Sequence, residues 1–206
     1  MTQPQHAAPL PMPEPREWPL GSAVSSSIRG LRWPGVRTPV LLIHEPDADR
    51  DLDHWGSLPD LLQRNGYPVV AFDLPGHGLS DGAATLESAT EAVDLVWGDI
   101  AAQGSQPIAV IAAGAACSLL PSRQTSARIL LSPTGKSHAE TPDPKLVFVG
   151  SLDPVARAAA DRFLRASRGW TLVSSFATPD QGTKLLSSPH AGKITAQIVS
   201  FLRDYC

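Results

Sequence analysis

The sequence predicts an α/β fold, a mostly parallel sheet with helices on both faces. Three observations carry it. Beyond residue 21, short apolar runs without polar alternation recur along the chain, which suits strands covered on both sides. Between them lie stretches whose apolar residues fall three and four apart, the helical period. The two patterns alternate, as βαβ units do.

Taken in order, residues 28–33 read as a preceding antiparallel strand. The runs PVLLIH (39–44), PVVAFD (68–73), PIAVIA (107–112), RILLS (128–132) and KLVFVG (145–150) read as buried strands, with WTLVSSF (170–176) as a sixth. Ser57 is placed to cap a short helix carrying Leu58, Leu61 and Leu62, which Gly66 stops. Leu86, Ala89, Val93, Val96, Trp97 and Ile100 form one helical face. Asp153-Pro154 opens a helix bearing Val155, Ala159 and Phe163 that ends at Gly169. Ser188-Pro189 opens the last, with Ile194, Ile198, Phe201 and Leu202 facing inward.

Residues 1–20 contain six prolines (Pro4, Pro9, Pro11, Pro13, Pro15, Pro19) and little that packs, so they read as a flexible N-terminal arm. Such an arm also has the composition of an SH3-type ligand. Residues 21–206 then form a single domain. The connection from 133 to 144 is too short for a helical cap over that domain, which predicts a shallow, open cleft.

Composition excludes several function classes. With 17 Lys plus Arg against 20 Asp plus Glu, the net charge is −3 and only 18% of residues are charged, which offers no footprint for nucleic acid or an anionic membrane. The longest apolar stretch, 108–117, is shorter than the ~20 residues a spanning helix needs. Cys117 and Cys206 have no second cysteine or histidine at ligand spacing, so the expected setting is reducing and cytoplasmic, with no metal. Asp47, Asp49, Asp51 and Asp53 alternate beside Glu45 and His54. A calcium loop starting at Asp47 would need glycine at its sixth position and glutamate at its twelfth; Leu52 and Leu58 stand there, so the run reads as a solvated acidic loop. His6, His77 and His138 have no partner assignable from the sequence.

One segment is more specific. His54-Trp55 is followed by Leu61 and by GYPVVAFDLPGHGLSD at 66–81, and later come LVFVGSLDP at 146–154 and DQG at 180–182. Over roughly residues 28–204 these resemble the α/β-hydrolase family, in which a strand ends in a D-x-P-G-x-G-x-S turn. Gly76-x-Gly78 lacks the third glycine of a dinucleotide loop and no helix starts directly after it, so no cofactor is expected.

The resemblance implies catalytic positions, and this chain departs from several. The family's nucleophile sits in a G-x-S-x-G elbow, a strained strand-to-helix turn. The matching run is AAGAA at 112–116, so Gly114 takes the nucleophile position without a side chain. Between Gly114 and Arg128, with Pro121 intervening, there is room for a helix of about two turns. The base position, in a His-Gly pair before the final helix, is held by Gln181, whose amide accepts no proton at useful pH. Asp153 matches the acid position, and N-capping alone also calls for it. In the oxyanion loop the run is His44-Glu45-Pro46. An ungapped match puts Pro46, which has no N–H, at the donor position; a deletion puts Glu45 there. The Ala115 N–H is the second donor.

These residues predict an α/β-hydrolase-like protein with a degenerate triad (Gly114, Asp153, Gln181), inactive as an esterase and retained to bind a small molecule or a protein in a cleft of His44, Glu45, Pro46, Gly114, Ala115, Asp153 and Gln181. The alternative is a hydrolase with relocated groups: Ser132 or Cys117, with His44 or His190; Ser118, one turn into the helix, is a further hydroxyl. Cys117 and His190 also have plain structural roles available, a small core residue and an exposed first-turn residue.

Overall fold

Val, Ile, Leu and Ala fill the strand runs on both faces, so each strand must be covered twice, and the chain does this by placing two helices on each side. The computed structural model describes residues 10–20, 26–47, 49–104, 107–119, 123–134 and 140–206. In chain order the elements are β1 (Glu14–Pro19), β2 (Ser27–Trp33), β3 (Val40–Ile43), α1 (Leu58–Arg64), β4 (Val69–Phe72), α2 (Leu86–Ala102), β5 (Ala109–Ala113), β6 (Arg128–Leu131), β7 (Lys145–Gly150), α3 (Pro154–Ala166), β8 (Thr171–Phe176) and α4 (Ala191–Tyr205). Three 3₁₀ helices, Leu52–Trp55, Gly114–Ser118 and Gly182–Ser187, lie in the connections.

The sheet has the order β1-β2-β4-β3-β5-β6-β7-β8. β1 pairs antiparallel with β2, and β2 with β4; from β4 onward all pairs are parallel. One core lies between the sheet and α2 and α3, built on Ile43, Phe72, Val93, Trp97 and Phe163. The other lies under α1 and α4, built on Leu42, Trp55, Leu62, Phe148 and Ile198. The mostly parallel α/β sheet expected from the sequence is therefore the observed one.

The proline-rich arm is corrected in its second half. Residues 14–19 form β1, in register Glu14↔Arg32 through Pro19↔Ser27. Two prolines fit because β1 is an edge strand, where a missing N–H costs no ladder bond on the open side. Trp18 supplies the burial: it is 6% exposed, donates from its indole to Asp99 at 3.0 Å and meets Phe72 edge-on. Residues 1–9 of the arm, Pro121 and His138 lie outside the described residues.

A second correction concerns the turn after β5. The expected two-turn helix is a five-residue 3₁₀ helix, Gly114–Ser118. Two smaller differences follow from capping. Ser57 stands at the N-cap of α1 without a side-chain bond, and α4 starts at Ala191 because Ser188 and Pro189 complete the preceding turn. Asp153 caps α3 as expected. The described residues of the 133–144 connection contain no helix.

At the opposite end of the sheet from the loops considered next, Arg128 is paired with Asp143 at 2.8 Å, both buried. Beside them the Lys145 ammonium is fully buried and donates to the carbonyls of Thr141, Asp143 and Arg168. Burial lowers the Lys145 pKa, and the Arg128 charge adds to this.

Candidate functional site

In open parallel sheets a ligand crevice forms beyond the carboxyl ends of the strands, where the winding direction reverses. Here that point lies between β3 and β5. The loops carrying every candidate residue leave the same end: His44-Glu45-Pro46 after β3, Gly114 after β5, Asp153 after β7 and Gln181 after β8.

Gly114 has φ +55°, the left-handed conformation of a sharp strand-to-helix turn. A Cβ placed there would stand 2.7 Å from Glu45 Cγ. Glu45 is 5% exposed, and its carboxylate crosses to the loop after β8. Oε1 accepts from the Thr183 N–H at 2.6 Å, and Oε2 from the Thr183 hydroxyl at 3.0 Å. Gly182, at φ +54°, has no room for a Cβ because Glu45 Oε1 occupies that space. One buried carboxylate thus fills the gap between the turn after β5 and the turn after β8. Pro46 is exposed.

The remaining predicted positions are committed to local structure. Gln181 Nε2 makes long contacts of 3.4 Å to the carbonyls of Gly150 and Pro179, and its Oε1 is buried without a partner. Asp153 Oδ1 accepts from the Val155 and Ala156 N–H groups at 2.8 and 3.2 Å, which are capping bonds. The acid and base positions are therefore not hydrogen-bonded to each other.

His44 is fully buried with both nitrogens engaged. Nε2 accepts from the Leu74 N–H at 3.0 Å, which fixes the proton on Nδ1, where it is donated to the Glu45 carbonyl at 2.7 Å. Burial lowers its pKa to about 4; the His77 ring, 5.4 Å away edge-on, opposes protonation further. The relocated nucleophiles fare no better. The Cys117 thiol is buried against the Ala112 carbonyl at 3.4 Å; burial pushes its pKa far up, and the Glu45 charge adds to the shift. The Ser118 hydroxyl is donated to the Ala115 carbonyl at 2.7 Å. Ser132 differs: it is the one non-glycine described residue at positive φ (+52°), and its buried hydroxyl has no partner. His190 lies at the N-cap of α4 with its ring against Phe176, at 5.1 Å.

The D-x-P-G-x-G-x-S segment ties the loops together. Asp73 accepts from the Leu52 and Leu79 N–H groups, both at 2.8 Å, and Ser80 donates to the Asp73 carbonyl. Gly78, at φ +49°, presses against the Asp73 carboxylate, where no side chain fits. Burial raises the Asp73 pKa. In the acidic loop Asp51 pairs with His54 at 2.8 Å, and no cluster among the described residues is suited to a metal. Beside the Gly114 turn remains a cavity of about 140 Å³, lined by Pro46, Leu74, His77, Ala115 and Leu119 among others. Sequence reasoning missed Thr183. Its only signal is its place directly after Gln181-Gly182, and its partner Glu45 lies 138 residues away.

No protein-family profile and no curated protein matches the sequence. Solved structures do. A predicted CIB-like hydrolase from Thermoplasma acidophilum superposes with a TM-score of 0.74 at 15% identity, covering 94% of this chain and 99% of that one. An esterase of Pyrococcus furiosus gives 0.74 at 13% identity over 94% and 91%. A monoacylglycerol lipase from Paleococcus ferrophilus gives 0.73 at 14% identity over 87% and 99%. The strand order, the turn after β5 and these superpositions define the class: the chain has the α/β-hydrolase fold. No helix among the described residues is long and apolar enough to cross a membrane.

Proposed function

We propose that this chain is a non-hydrolytic α/β-hydrolase-fold protein, whose cleft binds a small molecule instead of cleaving one. The observation that carries the reading is the buried Glu45 carboxylate, held by Thr183 in the space beside Gly114 and Gly182. A carboxylate there opposes the build-up of oxyanion charge on which ester cleavage depends. Gly114 brings no hydroxyl, Gln181 brings no base, and the Asp153 carboxylate is spent on capping α3. What remains is a cavity of about 140 Å³, smaller than the 300 Å³ or more of a drug-sized ligand site, so the ligand is a small one. Two unpaired thiols, one of them buried, suit a reducing cytoplasm.

The test combines turnover and labelling. Purified protein is assayed against nitrophenyl acetate and butyrate, then treated with a serine-directed fluorophosphonate and weighed intact. The expected result is hydrolysis at the buffer rate and an unchanged mass. A stoichiometric adduct overturns the proposal. The second reading, a relocated hydrolase, rests on the left-handed backbone and unpartnered hydroxyl of Ser132. It gains the field if such an adduct disappears in Ser132→Ala.

A further inference from the structure

The two edges of the sheet are built differently. β1 carries Pro15, Pro19, Glu14, Arg16 and Glu17, the residues by which natural sheets discourage edge pairing. β8, with the sequence TLVSSF, has no charge and no proline. Among the described residues no strand lies beyond it. The carbonyls of Trp170 and Phe176 accept from the N–H groups of Lys145 and Ser151, so even-numbered residues of β8 turn their backbone groups toward β7. Those of Thr171, Val173 and Ser175 consequently face outward.

Large apolar side chains flank this open ladder. Trp170 is 51% exposed, Leu172 43% and Tyr205 39%. Trp170 stacks on Phe201 of α4 at 5.9 Å and on Tyr205 at 5.4 Å, which places it on the α4 side of the sheet. Leu172 and Phe176 share that side by the two-residue period of a strand, and Phe176 stacks on Phe148 at 6.2 Å.

We propose that the chain forms a two-fold dimer by antiparallel pairing of β8 with β8 of a second copy, giving one continuous sheet. A second copy fits because the edge is self-complementary. It carries no charge to repel its own image, and one register uses all three outward residues. That register centres on Val173, with Thr171 opposite the partner's Ser175. It sets Leu172 opposite the partner's Ser174 and Trp170 opposite the partner's Phe176, an aromatic cross-strand pair formed twice by symmetry. Neighbouring registers leave one outward residue of each strand beyond the ladder.

The test is sedimentation equilibrium of the full chain from about 1 to 100 µM, together with crosslinking. Twice the 21.8 kDa chain mass is expected. Leu172→Lys shifts the protein to monomer, and adding Ser174→Glu restores the dimer, because the two positions face each other across the axis. Where Leu172→Lys perturbs folding by circular dichroism, cysteines decide. Positions 172 and 174 of opposite chains form non-hydrogen-bonded pairs about 4.5 Å apart, within disulfide reach. Leu172→Cys with Ser174→Cys then yields a covalent dimer under mild oxidation, and either single change gives no more than the parent with its Cys117 and Cys206. A monomer throughout the concentration range overturns the proposal, as does a dimer that the double-cysteine chain fails to lock.

Discussion

Replacing Gly114 by serine puts the filled cleft to a quantitative test. A Cβ at φ +55° costs about 1–2 kcal/mol from backbone sterics alone. It would also stand 2.7 Å from Glu45 Cγ, well inside the roughly 3.5–4.0 Å at which carbon atoms attract. The Glu45 stem must move, which disturbs the bonds of 2.6 and 3.0 Å to Thr183; overpacking of this kind costs about 1–3 kcal/mol. Gly114→Ser should therefore lose about 2–5 kcal/mol. Glu45→Ala removes the obstacle but strands the buried Thr183 donors, for about 1–3 kcal/mol. In the double variant only the backbone part of the serine penalty persists, so the two changes couple by about 1–3 kcal/mol. Urea unfolding of the four proteins, followed by circular dichroism, closes the cycle. A coupling below about 0.5 kcal/mol would refute the claim that Glu45 occupies the space beside Gly114.

Three further outcomes follow from the same geometry. Gly114→Ser with Gln181→His, which restores the residue types of the family's nucleophile and base, should stay well below a kcat/KM of about 10⁴ M⁻¹s⁻¹ in nitrophenyl ester assays; a rise only after adding Glu45→Gly locates the obstacle at the carboxylate. His44, neutral when folded with a pKa lowered from 6.5 to about 4, stabilises the protein fully above pH 6.5 and loses that contribution as pH falls toward 4. The loss is on the order of 3 kcal/mol, and His44→Gln should flatten this limb of the stability profile measured by denaturant titration. Lys145→Met should cost about 2–5 kcal/mol by thermal unfolding, since the carbonyls of Thr141, Asp143 and Arg168 lose the donor that the buried ammonium supplies to all three.

The parallel strands were legible because burial on both faces leaves unbroken apolar runs, and every such run became a strand within two residues of its expected end. The segment from Asp73 to Ser80 was legible for another reason: its turn closes on itself through Leu79 and Ser80, although the same carboxylate also reaches back to Leu52. β1 was hidden because six prolines masked the one residue, Trp18, whose burial pins the strand. The short turn after Gly114 depended on how little chain remains before β6, which bounded the helix without setting its hydrogen-bond pattern. Glu45 stood in the run under scrutiny, yet the direction of its side chain is decided by a threonine 138 residues on. Pairings over such a separation leave no periodicity for a single sequence to display.

The enclosed ammonium of Lys145 also divides the lysines by reactivity. Lys184 and Lys193 are exposed to any acylating reagent, whereas the Lys145 amine is enclosed at the end of the sheet and held by three carbonyl oxygens. It becomes nucleophilic toward such a reagent only when β7 parts from the segments around it. Time-resolved acylation, read as the delay between the modification of Lys193 and that of Lys145, therefore clocks the opening of this end of the molecule without any substitution in the chain.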